Sequence, residues 1–394
     1  MLQKIYHTRM KKATEIYLDN AATTPLSKEV LDEMMPFLTE NFGNPSAIHS
    51  FGRITRSAIE KARKQVAKAL HCSPSEIFFT SSGTEANNMA IKKSVDDLGV
   101  THIITSPIEH HCVSHTVEYV EKAAGVKVHI LNVSDKGEMD FNHLNQLLDA
   151  LKSEKVLVSL MHANNEIGTM LNLERLAEIC NRDNVFLHTD TVQTIGHSPI
   201  DLQKIQVNFL SGSGHKLHGP KGVGFIYINA KASINSFIHG GGQERNMRAG
   251  TENMYGIIGL GKAIEIATEH FEEHRNHILD LKKYMMAKLE ENFQDIRYNG
   301  DISDNSLYTV LNVSFPPSEK NEMLLMNLDI AGIAASGGSA CTSGADAGSH
   351  VLNAIKADPN RKGIRFSFSH INNKEEIDVV IEKLKTMVAV KELV

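Results

Sequence analysis

The chain has 394 residues, with 41 Lys and Arg against 47 Asp and Glu, which leaves a formal net charge of −6. That balance argues against nucleic acid or an anionic membrane surface as the main partner, since both bind a basic face. Four cysteines (Cys72, Cys112, Cys180 and Cys341), with no pair at CxxC spacing, leave neither a disulfide framework nor a zinc ribbon.

The first twelve residues carry Lys4, Arg9, Lys11 and Lys12 and no acid, but lack the apolar stretch of a signal peptide. Residues 1–15 are therefore expected to be a disordered leader or part of a small domain. The longest apolar runs, 156–161 and 223–228, fall far short of the ~20 residues that span a bilayer. The expectation is a cytoplasmic protein whose cysteines are free thiols.

Short apolar, β-branched segments at 77–80, 102–105, 127–131, 155–161, 185–189, 207–211 and 223–228 read as strands. Helical patterns lie between them. Over 57–70, Ile59, Ala62, Val66, Ala69 and Leu70 share a face; over 173–182, Leu173, Leu176, Ala177 and Cys180 do. Continuous apolar strands separated by helices predict an α/β domain with a mostly parallel seven-stranded sheet, covered on both sides. The pattern changes near residue 257, where one long helical stretch, about 257–293, leads to strands at 307–315 and 363–369 and a last amphipathic helix. The expected division is a large domain over 16–260 and a smaller α+β domain over 261–394. In such a sheet the ligand lies beyond the carboxyl ends of the strands.

The loops after those strands carry the candidate chemistry. Ser81-Ser82-Gly83-Thr84-Glu85 runs from a strand into a helix, which suits an anion, although a plain helix cap explains Ser82 and Thr84 equally. His188-Thr189-Asp190 puts a carboxylate at a strand end, as does a helix cap. In SGSGHKLHGPKGVG (211–224) a single lysine, Lys216, stands between His215 and His218 among glycines. A desolvated lysine forms Schiff bases readily. A metal site built on the histidines and a phosphate loop are the local alternatives. The stretch 240–253, with Arg245, Arg248 and Thr251, suggests either an anion site or a solvated loop. Cys341 stands in a loop of Gly, Ser, Ala and Thr, where its thiol can reach out, whereas Cys180 sits on an apolar helical face. Cys112, after His110 and His111, is the competing reactive thiol.

Taken in order, YLDNAATTPL (17–26), FGNPSAIHSFG (42–52), TSSGTEANN (80–88), HANNEIGT (162–169), HTDTVQT (188–194), SGHKLHGPKGVG (213–224), GGGQERNMRAGTEN (240–253), SGGSACTSG (336–344) and IRFSFS (364–369) form a joint signature. Together they resemble the fold-type I pyridoxal-phosphate enzymes, and among these the cysteine desulfurases of the NifS/IscS type. The resemblance implies pyridoxal phosphate as cofactor, held on Lys216 as a Schiff base. It pairs Asp190 with the pyridine nitrogen and stacks His110 on the ring, with His110 a second acid/base. It puts Asn165 and Gln193 near the ring oxygen, and Gly83, Thr84, Ser213 and His215 around the phosphate. Thr251 would come from the other subunit of a homodimer, and Arg365 would grip the substrate carboxylate bidentately. No metal is implied.

The activity implied is removal of sulfur from L-cysteine, giving alanine and a persulfide on Cys341. That sulfur would pass to an iron–sulfur scaffold or other acceptor protein, or serve thio-modification. A selenocysteine lyase or another class V aminotransferase-like enzyme is the alternative. Two departures from the resemblance stand out: Gly337 where many relatives have serine, and Phe368-Ser369-His370 where relatives often carry glycine and arginine.

Overall fold

The computed structural model describes residues 15–337 and 348–391. Packing divides it into two compact units. One comprises Thr23–Asn165 and Thr169–Glu272; the other joins residues 15–22, Glu166–Gly168 and the chain from Glu273 onward.

After β1 (Ile16–Tyr17), which belongs to the smaller unit, the chain enters the larger one through α1 (Lys28–Thr39) and α2 (Ser50–Ala69). There follow β2 (Ile77–Thr80), α3 (Gly83–Leu98), β3 (His102–Thr105), α4 (His111–Ala124), β4 (Lys127–Ile130) and α5 (Phe141–Ala150). Next come β5 (Val156–Ser159), α6 (Leu173–Cys180), β6 (Val185–Asp190), β7 (Phe209–Ser213), β8 (Gly224–Ile228) and α7 (Met254–Glu269). The seven strands lie in the order β2–β8–β7–β6–β5–β3–β4. β8 is antiparallel to both neighbours and every other pair is parallel. Each of the seven expected segments supplies one strand.

Alternate strand residues feed opposite layers, as the pleat requires. Val158, Leu187, Leu210 and Phe225 pack with Ile59 and Val66 of α2 and Leu260 and Ile264 of α7. On the other face, Phe209 and Ile226 meet Met89 and Ala90 of α3, and Ile103 and Leu157 meet Val113 and Val117 of α4. Because β2, β3, β5, β6 and β7 point the same way, their carboxyl ends gather along one edge. Thr80, Thr105, Ser159, Asp190 and Ser213 mark that edge.

The helical stretch expected over 257–293 is two helices, α7 and α8 (Phe271–Asn292), interrupted at His270. α7 is buried on nearly all sides in the larger unit, whereas α8 buries one stripe, Ile278, Leu281, Met285 and Leu289, in the smaller. Helical periodicity continues across the break, so the sequence pattern conceals it. The packing division accordingly differs from the expected 16–260 and 261–394: α7 goes entirely with the larger unit, and residues 15–22 with the smaller.

The smaller unit adds β9 (Arg297–Tyr298), β10 (Val310–Phe315), α9 (Leu324–Ile330), β11 (Ile333–Ala334), α10 (His350–Ala354), β12 (Lys362–Ser367) and α11 (Lys374–Met387). Its antiparallel sheet runs β12–β10–β9, and β1 pairs in parallel with β11. α11 buries Ile377, Val380, Ile381 and Leu384, the apolar face its spacing predicts. No helix among the described residues is long and apolar enough to cross a membrane.

Candidate active site

Asp190 ends β6, buried, at the edge where the strand ends gather. Its Oδ1 accepts the Val192 N–H at 2.9 Å and its Oδ2 accepts Asn87 Nδ2 at 2.7 Å. The strand-end carboxylate is therefore held on both oxygens, which fixes its direction. Across β6–β7, Asp190 pairs with Ser211, on the same face of the sheet, whose buried hydroxyl oxygen has no partner.

The turn after β2 is narrow. Ser82 caps α3, its Oγ accepting from the Glu85 N–H at 3.2 Å. A Cβ on Gly83 would come within 2.5 Å of Val192 Cγ2, and one on Gly224 within 2.6 Å of the Ser82 carbonyl carbon. Only glycine lets the start of α3 approach β7 and β8 so closely, with Ser213 Cβ 3.6 Å from that Gly83 Cβ position. First-turn N–H groups have no helical carbonyl to reach, which suits an anion.

Lys216 follows β7 in a single short turn, Gly214–Lys216, half-buried. The turn is clamped by the YLDNAATTPL segment. Thr24 N and Oγ1 both donate to the His215 carbonyl, and the His218 N–H donates to Thr24 Oγ1 at 2.8 Å. His197 Nε2 meets the Lys216 carbonyl at 3.2 Å. His218 takes a left-handed backbone and its Nδ1 meets the Pro25 carbonyl, so its part is local structure. Burial, with the charges of Lys216 and Lys221, lowers His215 to about 4. A neutral imidazole offers an anion a hydrogen bond rather than a charge. Among the described residues, no three His, Cys, Asp or Glu side chains form a metal-binding group.

His110 caps α4 with its own ring, Nδ1 accepting the Cys112 N–H at 3.2 Å. Cys112 Sγ lies 3.0 Å from that Nδ1 and 3.1 Å from Asn87 Nδ2. Burial, reinforced by the Asp190 charge, pushes the Cys112 thiol up to about 12, so it is not a nucleophile at neutral pH. The preceding residue, Glu109, is 1% exposed; its Oε1 accepts Ser106 Oγ at 2.6 Å and the Met161 N–H at 3.1 Å. Burial outweighs those donors and raises its carboxyl to about 8, with Asp190 adding to the rise. Glu109 thus stays protonated at neutral pH. Asn165 and Gln193 are half-buried in the loops after β5 and β6.

The two arginines of 240–253 serve the protein itself rather than a free anion. Arg248 donates to both Glu85 oxygens, at 2.8 and 3.2 Å, and Arg245 donates to the carbonyls of Pro74 and Ile77. Burial alone would raise Glu85, but Arg248 and the Ser81 donors outweigh it and hold the carboxyl below its ordinary range. Glu244, Arg245 and Asn246 are all left-handed, with φ of 45°, 54° and 67°, a backbone costing ~1–2 kcal/mol per residue. Arg63 secures that run: Nη1 and Nη2 donate to the Glu244 carboxylate at 2.7 and 2.9 Å, both side chains being buried. Thr251 follows, exposed to solvent.

In the smaller unit Arg365 is 1% exposed on β12, and its Nη2 donates to Asp19 Oδ1 at 2.7 Å. Ser336 Oγ donates to the same Asp19 oxygen at 2.8 Å, and its backbone pairs with Arg365. Ser349, which caps α10, donates to Glu166 Oε2 at 2.5 Å. Cys341 lies outside the described residues.

The structure therefore links Asp190 through Asn87 to Cys112 beside His110, sets Gly83 near Ser213, and carries Lys216 one turn beyond β7. Sequence reasoning assigned no part to Asn87, Glu109, Glu85, Glu244 or Asp19. Asn87 is one helical turn beyond Gly83, a spacing that could have pointed to it. The three carboxylates paired with arginines belong to contacts between distant segments, for which no local signal exists.

A mostly parallel seven-stranded sheet, with an acid ending one strand and a lysine in the turn after its neighbour, is the architecture of fold-type I pyridoxal-phosphate enzymes. The model of the family described as Aminotransferase class-V matches residues 16–380, and the chain belongs to that family. It is 45% identical to the cysteine desulfurase IscS of Dictyoglomus turgidum (strain DSM 6724 / Z-1310), across 95% of this chain and 96% of that one. Among solved structures, a NifS-like protein matches with a TM-score of 0.86 and 38% identity, covering 94% of this chain and 98% of that one. A structure titled SspA in complex with cysteine matches with a TM-score of 0.79 and 33% identity, over 90% and 99% of the two chains.

Proposed function

We propose that this chain is a cysteine desulfurase that uses pyridoxal phosphate to take sulfur from L-cysteine, yielding L-alanine and a persulfide on Cys341. The observation that carries the reading is Asp190, a buried carboxylate pinned on both oxygens, one strand away from the turn that bears Lys216.

The residues present fit that cofactor. A phosphate dianion suits the first-turn N–H groups of α3, the hydroxyls of Thr84 and Ser213, and the neutral His215 ring. The unpartnered Ser211 hydroxyl beside Asp190 marks a place where a polar group belongs. Bound pyridoxal phosphate supplies an electron sink that weakens bonds around the substrate's α-carbon. Asp190 would keep the pyridine nitrogen protonated, and His110 would stack on the ring. Asn165 and Gln193 would orient it. Lys216 Nζ would hold the cofactor covalently, and once released would carry a proton to and from the substrate. Arg365 would bind the substrate carboxylate.

The family resemblance assigns the nucleophile to Cys341, and the three other thiols are poorly suited to that part. Burial pushes Cys72, Cys112 and Cys180 each up to about 12. Cys341 is the remaining thiol. Its thiolate forms a bond to the substrate sulfur, the carbon–sulfur bond breaks, and the carbon takes the electron pair and a proton to become alanine. An acceptor protein for iron–sulfur cluster assembly or thio-modification would then take the sulfur.

Thr251 would complete the phosphate site of a second copy. Leu31, Met35 and Leu38 of α1, with Phe42, Ile48, Phe51 and Ile54, are exposed apolar side chains close together in sequence, which suits an interface with a second copy. Sedimentation of the purified protein should give twice the mass of one chain. A monomer that retains cofactor would remove the second copy from the site.

Treatment with L-cysteine in the absence of reductant, followed by mass spectrometry, should find one extra sulfur on the peptide containing Cys341. One alanine should appear for each such sulfur. Alanine without protein-bound sulfur would point instead to a lyase of the same family, such as a selenocysteine lyase.

A further inference from the structure

A largely buried chain of hydrogen bonds joins Asp190 and His110, and Asn87 and Cys112, which link them, have no part in the reaction as proposed. Asn87, 0% exposed on α3, touches three groups: Asp190 Oδ2 at 2.7 Å, Cys112 Sγ at 3.1 Å and His188 Nε2 at 3.0 Å. His188 in turn meets Ser159 Oγ at 2.8 Å through Nδ1. We propose that Asn87 and Cys112 are positioning residues: one amide holds the Asp190 carboxylate and the Cys112 thiol, and the thiol fixes His110 with its ring proton on Nε2. The inference rests on the desulfurase reading for what Asp190 and His110 do, but not for the hydrogen bonds themselves.

The direction of each bond follows from the ends of the chain. A carboxylate only accepts, so the Asn87 nitrogen must face Asp190 and its oxygen must face His188. His188 therefore carries its proton on Nε2, and its bare Nδ1 accepts from the Ser159 hydroxyl. Burial lowers His188 to about 3, which keeps it neutral in that arrangement. The second Asn87 N–H points at Cys112 Sγ, so the sulfur accepts there. At the other end, His110 Nδ1 already accepts the Cys112 backbone N–H and cannot hold a proton. The Cys112 S–H is then the donor across the 3.0 Å contact. A thiol kept protonated by burial is suited to that, and unsuited to the nucleophilic part that its position after two histidines suggests.

Among the described residues, Asn87 is thus the side chain that touches both the acid of β6 and the thiol behind His110. Movement of either side chain requires movement of the amide. The alternative is that Cys112 fills space and nothing more.

Three variants of the full-length holoenzyme separate these. Cys112→Val keeps the volume and removes donor and acceptor; kcat should fall about fivefold to tenfold, the effect of one hydrogen bond, with KM for L-cysteine within about twofold. The absorption maximum of the bound cofactor should move with it. Cys112→Ser restores both donor and acceptor and should return kcat to within about threefold of the parent. Asn87→Ala removes both constraints and should lower kcat about a hundredfold. If Asn87→Ala does not fold, the Cys112 pair decides alone. The Raman S–H stretch of Cys112, isolated as the difference from Cys112→Ser, should fall at the lowered frequency of a hydrogen-bonding donor. Wild-type kcat and an unmoved band in Cys112→Val, or the frequency of a non-donating thiol, would overturn the proposal. A parent enzyme that forms no persulfide would overturn the desulfurase reading instead, and the Raman band would still judge the hydrogen bonds.

Discussion

Lys216→Ala should yield a folded, colourless protein with at least a thousandfold less alanine production than the parent, the scale lost when a covalent catalytic group is removed. The fold should survive because the turn is held through its backbone. Thr24 grips the His215 carbonyl from two atoms, His197 meets the Lys216 carbonyl, and Gly214 N–H donates to Val223 O. None of these contacts uses the lysine side chain beyond Cβ. Circular dichroism and the visible absorption spectrum together check the result. A Lys216→Ala protein that remains yellow and active would remove Lys216 from the chemistry.

Cys341→Ser should abolish persulfide formation and lower alanine production at least a hundredfold, while the yellow colour persists. The three other thiols cannot take over. At a pKa of about 12, each is ionised in about one molecule in 10⁴ at pH 8, whereas a free thiol near ~8.5 is ionised in about a quarter. The sign is that of a group raised by burial: its thiolate appears only as the pH approaches the raised value. Iodoacetamide at pH 8 should accordingly modify Cys341 far faster than Cys72, Cys112 or Cys180, read by peptide mass spectrometry. Full alanine production in Cys341→Ser would end the persulfide assignment.

Much of the larger unit is legible in the sequence because its strands are buried on both faces. IFFT, HIIT and VLVS each hold consecutive apolar residues and are buried at all four positions, and each forms a strand within a residue or two of its expected position. The polar strand ends are equally legible: Asp190 and the turn bearing Lys216 lie where apolar runs stop. What stayed hidden is tertiary. Asn87 and Asn88 are neighbours of the same residue type, yet only Asn87 reaches β6, and helical spacing from Gly83 is the one local feature that separates them. Arg248 reads as an anion-binding residue until its partner Glu85, distant in sequence, is brought beside it. Likewise the division between α7 and α8 depends on what each helix packs against, which periodicity does not record.

The way β1 is paired bears on how the molecule can be made. Ile16 and Tyr17 dock on Ile333 and Ala334, and Asp19 bridges to Ser367, so the smaller unit joins segments far apart in the sequence. Residues 23–272 contain the whole larger unit and can consolidate while translation is still under way. Residues 15–22 are synthesised before that unit and must wait for residues 333–334 and 367 to pair with. During that interval the apolar side chains of Ile16 and Leu18 have no final resting place, and the ribosome-bound intermediate carries an unpaired strand. Assembly of the smaller unit can therefore follow that of the larger one, and its rate depends on these long-range pairings.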